Sequence, residues 1–190
     1  MTNMSSGIPI SKSIPQLLFT SALSTYGLYL SYQNVTRLQQ YEKQSEKAAE
    51  WSNSAAQRLH KTRTTQTSGT LTLLLSFLTS TTLLVVPCRA SSTIVISLAN
   101  TVALYFARTH MANFWNESNQ TRIPFVEKFN EAVRGSEKVV WILGTLSFGW
   151  AAASAVWASV EMGWISGGNI VWGLVVGCRV FYMLKLGWGI

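Results

Sequence analysis

Aspartate does not occur in this sequence, and charged residues of all kinds make up only 12% of it. A soluble domain carries roughly 25%. Charged side chains are what cover a globular surface in water, and this chain has about half the usual supply. Hydrophobic residues reach 48%. The composition is that of a membrane protein.

The missing residue types exclude whole chemistries. The acidic residues are all Glu, so aspartyl dyads, Ser-His-Asp triads and Asp-based metal sites are ruled out. Two histidines, His60 and His110, cannot build the His clusters of membrane di-iron enzymes. Two cysteines, Cys88 and Cys178, cannot form a disulfide scaffold or a four-thiolate zinc site. A His pair without carboxylate help is a poor metal site, so no metal and no cofactor is expected. No phosphate-binding glycine loop or dinucleotide-binding turn is present. The net charge of +7 sits beside apolar runs. Membrane orientation explains it better than nucleic-acid binding, and no nucleic acid is expected as a partner.

What is present is a series of uncharged runs, at about 14–32, 69–87, 92–107, 139–160 and 167–186. A bilayer-spanning helix needs ~20 residues. The second and fourth runs meet that directly, the third is short, and the first and fifth are more polar. The first has no clean cleavage site after it and is read as retained. Lys12 is its only charge before Arg37, too few for a cleaved mitochondrial presequence. Pro87 ends the second run and opens a tight hairpin, and a Gly-rich turn at 161–168 joins the fourth and fifth. The expected fold is an all-α integral membrane protein, a single domain over 1–190, with four to five transmembrane helices. Helical cytosolic loops would fill 33–68 and 107–138.

Charge counting orients it. Arg37, Lys43, Lys47, Arg58, Lys61 and Arg63 lie in the first loop, and Arg108, Arg122, Lys128, Arg134 and Lys138 in the second. Lys185 joins them near the C-terminus, while Lys12 and Arg89 stand on the other side. By the positive-inside rule both loops and the C-terminus are cytosolic or matrix-facing, and the N-terminus is not. An endomembrane is favoured, with mitochondrial or peroxisomal membranes as alternatives. In the first loop Leu38, Tyr41, Ser45, Ala48, Ser52, Ala55 and Leu59 recur at spacings of three and four, a helical stripe that continues the first span. The 64–69 stretch, TTQTSG, would return the chain to the membrane. In the second loop Pro124 suits a helix start, and a short amphipathic helix could lie on the membrane surface.

Several residues could carry function. Arg179 stands inside the last apolar run, where a charge is costly and marks either a cavity or a snorkelling side chain. Gly173 and Gly177, and Ala151 and Ala155, have the four-residue spacing of close helix contacts. Trp141, Trp164 and Trp188 fall near span ends as anchors, and Trp150, Trp157 and Trp164 share one face. Arg108, His110, Asn113 and Glu117 gather at a cytosolic helix end. That short segment resembles the Arg/His/Asn/Glu segment of the membrane-associated glutathione and eicosanoid enzymes. Its spacing differs, and it follows the third span rather than the first, so no family membership follows. Sequons occur at Asn3, Asn34, Asn116 and Asn119, and the topology leaves little room for a glycan on any of them.

The leading expectation is an accessory, assembly or membrane-organising component, with the lipid bilayer and other membrane proteins or a second copy as partners. The alternative is a small membrane enzyme for a lipid-soluble substrate such as a polyketide, quinone or isoprenoid. A transporter or channel component is third, disfavoured by the lack of an inverted repeat.

Overall fold

A computed structural model of the chain describes residues 14–51, 53–86, 88–115 and 127–161. Every described element is a helix: α1 (Ile14–Trp51), α2 (Asn53–Val85), α3 (Ala90–Phe114) and α4 (Glu127–Glu161). Three stretches are long and apolar enough to cross a membrane: His60–Val85, Ala90–Phe114 and Val133–Ser159.

The helices form an antiparallel bundle. Contacts fix the register of every neighbouring pair. Ser24 meets Ser76 between α1 and α2, and Thr79 meets Asn100 between α2 and α3. Ser147 meets the Thr101 carbonyl between α4 and α3, and Arg37 meets Glu131 between α1 and α4. Each helix runs opposite to the next, and α2 and α4 face each other in parallel across the diagonal, joined by Gln66 to Ser136 and Trp150 to Ser76. Such up-down topology follows from short connections.

In the hydroxyl-rich stretches the side chains bond back to the preceding turn, so their hydroxyls are satisfied without leaving the helix. Thr65 donates to the Lys61 carbonyl at 2.8 Å, Thr67 to Arg63 at 2.8 Å and Thr70 to Gln66 at 2.8 Å. The TTQTSG stretch is therefore no return segment: it lies inside α2, which already begins at Asn53. The first loop is helical, as the stripe suggested, but not as one continuous helix through Leu59: α1 ends at Trp51 and α2 begins at Asn53. The second loop differs from expectation too. Among the described residues no separate surface helix precedes the fourth span; α4 runs unbroken from Glu127, and Val133 is buried in the bundle. The third span is longer than its uncharged run, because Arg108 and the residues after it continue α3 to Phe114. Between α2 and α3, Arg89 takes an extended conformation (φ −65°, ψ 145°) and precedes the first turn of α3. Pro87 lies outside the described residues, as do Lys12, Glu117 and everything after Glu161. The expected fifth span and its Arg179, Gly173 and Gly177 therefore fall outside the description.

Large apolar side chains stand on both sides of the bundle wall. Leu17, Leu73, Leu104, Leu143, Leu146 and Trp150 fill the interior. Leu18, Leu71, Leu75, Leu78, Val95, Leu98, Val102 and Phe106 are exposed. Meanwhile Ser24, Ser76, Ser80, Ser97, Asn100 and Ser154 are buried. Small polar residues inside and large apolar ones outside reverse the usual rule for soluble bundles, and match helices packed in lipid.

Glycines mark the closest approaches. A Cβ on Gly135 of α4 would collide with the buried amide of Asn34 on α1. A Cβ on Gly149 would meet nothing within 4 Å. Gly135→Val is expected to destabilise the protein by about 1–3 kcal/mol through overpacking. Gly149→Ala should be neutral or gain up to ~1 kcal/mol of helix propensity. Denaturation of the two variants in mild detergent checks this, and equal stabilities would show that α1 and α4 do not pack through Gly135.

Candidate functional site

The middle of the bundle is held by a hydroxyl junction. Ser76 of α2 accepts the indole N–H of Trp150 at 3.0 Å and shares a 3.0 Å hydrogen bond with Ser24 of α1. Trp150, Ser24 and Ser76 are all fully buried. Three helices thus meet on one side chain. The α2–α3 seam has its own contact, where Thr79 donates to Asn100 Oδ1 at 3.2 Å and Asn100 Nδ2 donates to the Ile96 carbonyl at 3.0 Å. The α3–α4 seam is closed by Ser147, which donates to the Thr101 carbonyl at 3.1 Å.

A second polar layer lies at the loop end. Trp115 Nε1 donates to Thr65 at 3.1 Å, and Gln66 Nε2 donates to Ser136 at 2.7 Å. Asn34 sits against Gly135 at the same level. Among buried side-chain atoms, Ser31 Oγ, Asn34 Nδ2 and Gln66 Oε1 have no hydrogen-bond partner here, and Gln16 Nε2 has none at the other end. The unpaired atoms flank the bundle's middle, where the Ser24–Ser76–Trp150 junction is fully paired.

The outside of this loop end carries aromatics and cations. Tyr26, Tyr29 and Tyr32 of α1, Tyr105 of α3 and Trp141 of α4 are all exposed. The register puts them within one band about 9 Å deep. Just beyond them stand Lys61, Arg63, Arg134 and Lys138, also exposed. Arg37 is paired with Glu131 at 3.4 Å, a half-exposed ion pair of modest strength. At the opposite end Arg89 is the only Lys or Arg among the described residues.

The polar segment singled out on α3 does not converge. Arg108 lies across α4, where a Cβ on Gly144 would come within 2.9 Å of its Nε and 3.1 Å of its Cδ. His110 turns the other way, with Nδ1 3.1 Å from Ser68 Oγ of α2. Asn113 is exposed, and Glu117 lies outside the described residues. Residues two apart on a helix point in nearly opposite directions, so Arg108 and His110 serve different seams. Ala151 is half-buried and Ala155 exposed; the packed face of that stretch is Trp150, Ala153, Val156 and Trp157. Trp150 and Trp157, expected to share a face, do so in the core, whereas Trp141 stands outside at 46% exposure. Asn34 is only 1% exposed, which leaves no room for a glycan on that sequon.

Sequence reasoning missed Ser76, Asn100, Asn34 and Trp115. Asn100 had a signal, as an amide in the middle of an apolar run. Ser76 had none, since it is one of many hydroxyls in α2.

Comparison with protein-family models, curated proteins and solved structures returned no match to this chain.

Ser76→Ala strands the Trp150 indole N–H and the Ser24 hydroxyl together. A loss of about 1–2 kcal/mol is expected, at the upper end for a hydrogen bond in a membrane bundle. Thr82→Ala removes an exposed hydroxyl bonded only within its own helix, at 2.7 Å from the Leu78 carbonyl, and should change stability by less than about 0.5 kcal/mol. Unfolding of both variants in detergent measures the difference, and a Ser76 variant as stable as the Thr82 variant would remove the junction from the account.

Proposed function

We propose that this chain is a multi-pass membrane protein that works by association, as an accessory, assembly or membrane-organising component. The observation that carries the reading is where its polar groups are spent. Inside, hydroxyls, amides and indoles join helix to helix. Outside, the wall is apolar up to a ring of Tyr and Trp, and cations begin at that ring. Aromatic side chains favour the membrane–water interface, and cations favour the cytosolic side of it.

The dimensions agree with a bilayer. From Arg89, just before α3, to Arg108 near its end is about 28 Å at 1.5 Å per residue. The hydrocarbon core is ~30 Å thick. Residues 14–32 of α1 lie level with this stretch and serve as a fourth span, shielded because their Ser and Thr face the bundle or bond back to their own helix. The segment 167–186 is the fifth span of this reading. The ends of α1 and α2 then stand in the cytosol or matrix beyond the cations, with the N-terminus on the far side. Partners are other membrane proteins or a second copy.

The enzymatic alternative rests on Arg108 and its neighbours. Alanine substitution discriminates: an enzyme loses turnover while keeping its assembly.

Two measurements test the proposal. In a Cys178→Ser background, a membrane-impermeant thiol reagent should reach Cys88 from one face and a cysteine placed at Lys61 from the other. Labelling of both from one face would sink the topology. Affinity purification from native membranes in mild detergent should retain a membrane-protein partner or a second copy; isolation of the chain alone and monomeric would count decisively against an accessory role.

A further inference from the structure

We propose that the loop end of the bundle is a recognition surface for an anionic phospholipid, with the lipid phosphate held at the α3–α4 seam by Arg108. The proposal rests on the membrane reading above and adds a ligand to it.

Arg108 is the cation of this end that is set deepest toward the apolar wall. Among the described residues no carboxylate is paired with it, and the ion pair that Glu131 makes goes to Arg37. The side chain is not loose. Its Cδ and Nε press on Gly144, where the absence of a side chain lets the stem cross α4. A half-buried stem with an unpaired guanidinium is an unfinished ion pair, and its planar fork matches two oxygens of a phosphate.

Depth argues for a lipid rather than a soluble anion. Tyr105 stands one turn before Arg108 on α3, and Trp141 one turn after Lys138 on α4, both about half exposed. Their amphipathic rings mark the level of the headgroups. Val102 and Leu98, one and two turns before Tyr105 on the same face of α3, are also exposed and offer an apolar wall for an acyl chain. Arg108 therefore lies where a phosphodiester lies, at the edge of the apolar wall where the cations begin. A free phosphate would leave the apolar wall uncovered, and an acidic soluble protein would have to enter the headgroup layer to reach Arg108.

The test uses the full chain reconstituted in phosphatidylcholine vesicles, with spin-labelled phosphatidylglycerol or spin-labelled phosphatidylcholine as probe. The wild type should hold the anionic probe in its motionally restricted shell in preference to the zwitterionic one. Arg108→Gln should lower that preference by about fivefold, the ratio one cation at an anionic surface is worth. Arg108→Lys should recover part of it, since charge returns without the fork. Arg89→Gln, at the other end, measures what a lone exposed cation contributes and should change the preference less. Inorganic phosphate should not displace the probe. No preference in the wild type, an unchanged preference in Arg108→Gln, an equal loss in Arg89→Gln, or displacement by inorganic phosphate would each overturn the proposal. Resistance of every variant to alkaline extraction is measured alongside. Extraction of the wild type would instead defeat the membrane reading on which the proposal stands.

Discussion

The structure depends on a hydroxyl group at the centre of the bundle. Ser76 lies where α1, α2 and α4 meet, and its oxygen serves both the Ser24 hydroxyl and the Trp150 indole. In water such a bond adds little, because solvent offers the same partners. In a hydrocarbon environment the hydrophobic effect gives helices no reason to associate, since lipid tails are as apolar as Leu. Packing and interhelical hydrogen bonds are what remain. The size of Ser matters as much as its polarity. A larger side chain at Ser76 would separate the helices before the Trp150 ring could reach across the diagonal to α2.

The same constraint accounts for the distribution of residues along the bundle's length. Each helix carries Ser or Asn at the seams, and its Leu, Val and Phe face both inward and outward. Hydroxyls not used between helices return to their own backbone, as Thr25 does to Ser21 and Thr101 to Ser97. That habit lets a helix expose Thr to lipid without an unpaired donor. Polar atoms lacking partners occur in the first turn of α1 and in the loop-end layer, at Gln16, Ser31, Asn34 and Gln66. The loop-end three lie at the height of the tyrosine ring or beyond it, outside the stretch where an unpaired group costs most.

The helical class was legible from the shortage of charge and from the uncharged runs. So were three helical stretches long and apolar enough to cross a membrane, at the second, third and fourth runs, and the helical nature of the first loop. Legibility failed at boundaries set by tertiary contact. The TTQTSG stretch has weak helix formers and a glycine, and reads as a connection. Its Thr65, Thr67 and Thr70 hydroxyls are satisfied within the helix, and packing overrides the weak local preference where Met111 of α3 occupies the space beside Gly69. The charged stretch before the fourth span reads as a surface helix because Phe129 and Val133 share an apolar face. In the bundle Val133 joins the interior and Glu131 reaches Arg37 on α1. The polar cluster on α3 was legible as residues but not as a site. Spacing along the chain could not tell that Arg108 and His110 face different helices.

Glycine shows how far sequence pattern alone carries. Four-residue spacing drew attention to Gly173 and Gly177, and to Ala151 and Ala155. Within α4 the tight contacts follow another rule. Gly135 and Gly144 are neither four apart nor on a shared small-residue stripe, yet each receives one polar side chain from a neighbouring helix: Asn34 from α1 and Arg108 from α3. Nine residues on an α-helix make two and a half turns, so the two glycines face opposite sides of α4, as two different partners require. α4 thus works as a central post with a notch cut on either side. A pair-spacing search finds helices that pack backbone to backbone. It does not find a helix that takes a long side chain into a notch, because the second half of the motif is on another helix. For Arg108 the notch also sets the function available to it. Removing the glycine's space would push the guanidinium outward to water, where it would be one more surface cation; with the space, the charge stays at the edge of the apolar wall, half-buried and, among the described residues, without a carboxylate partner.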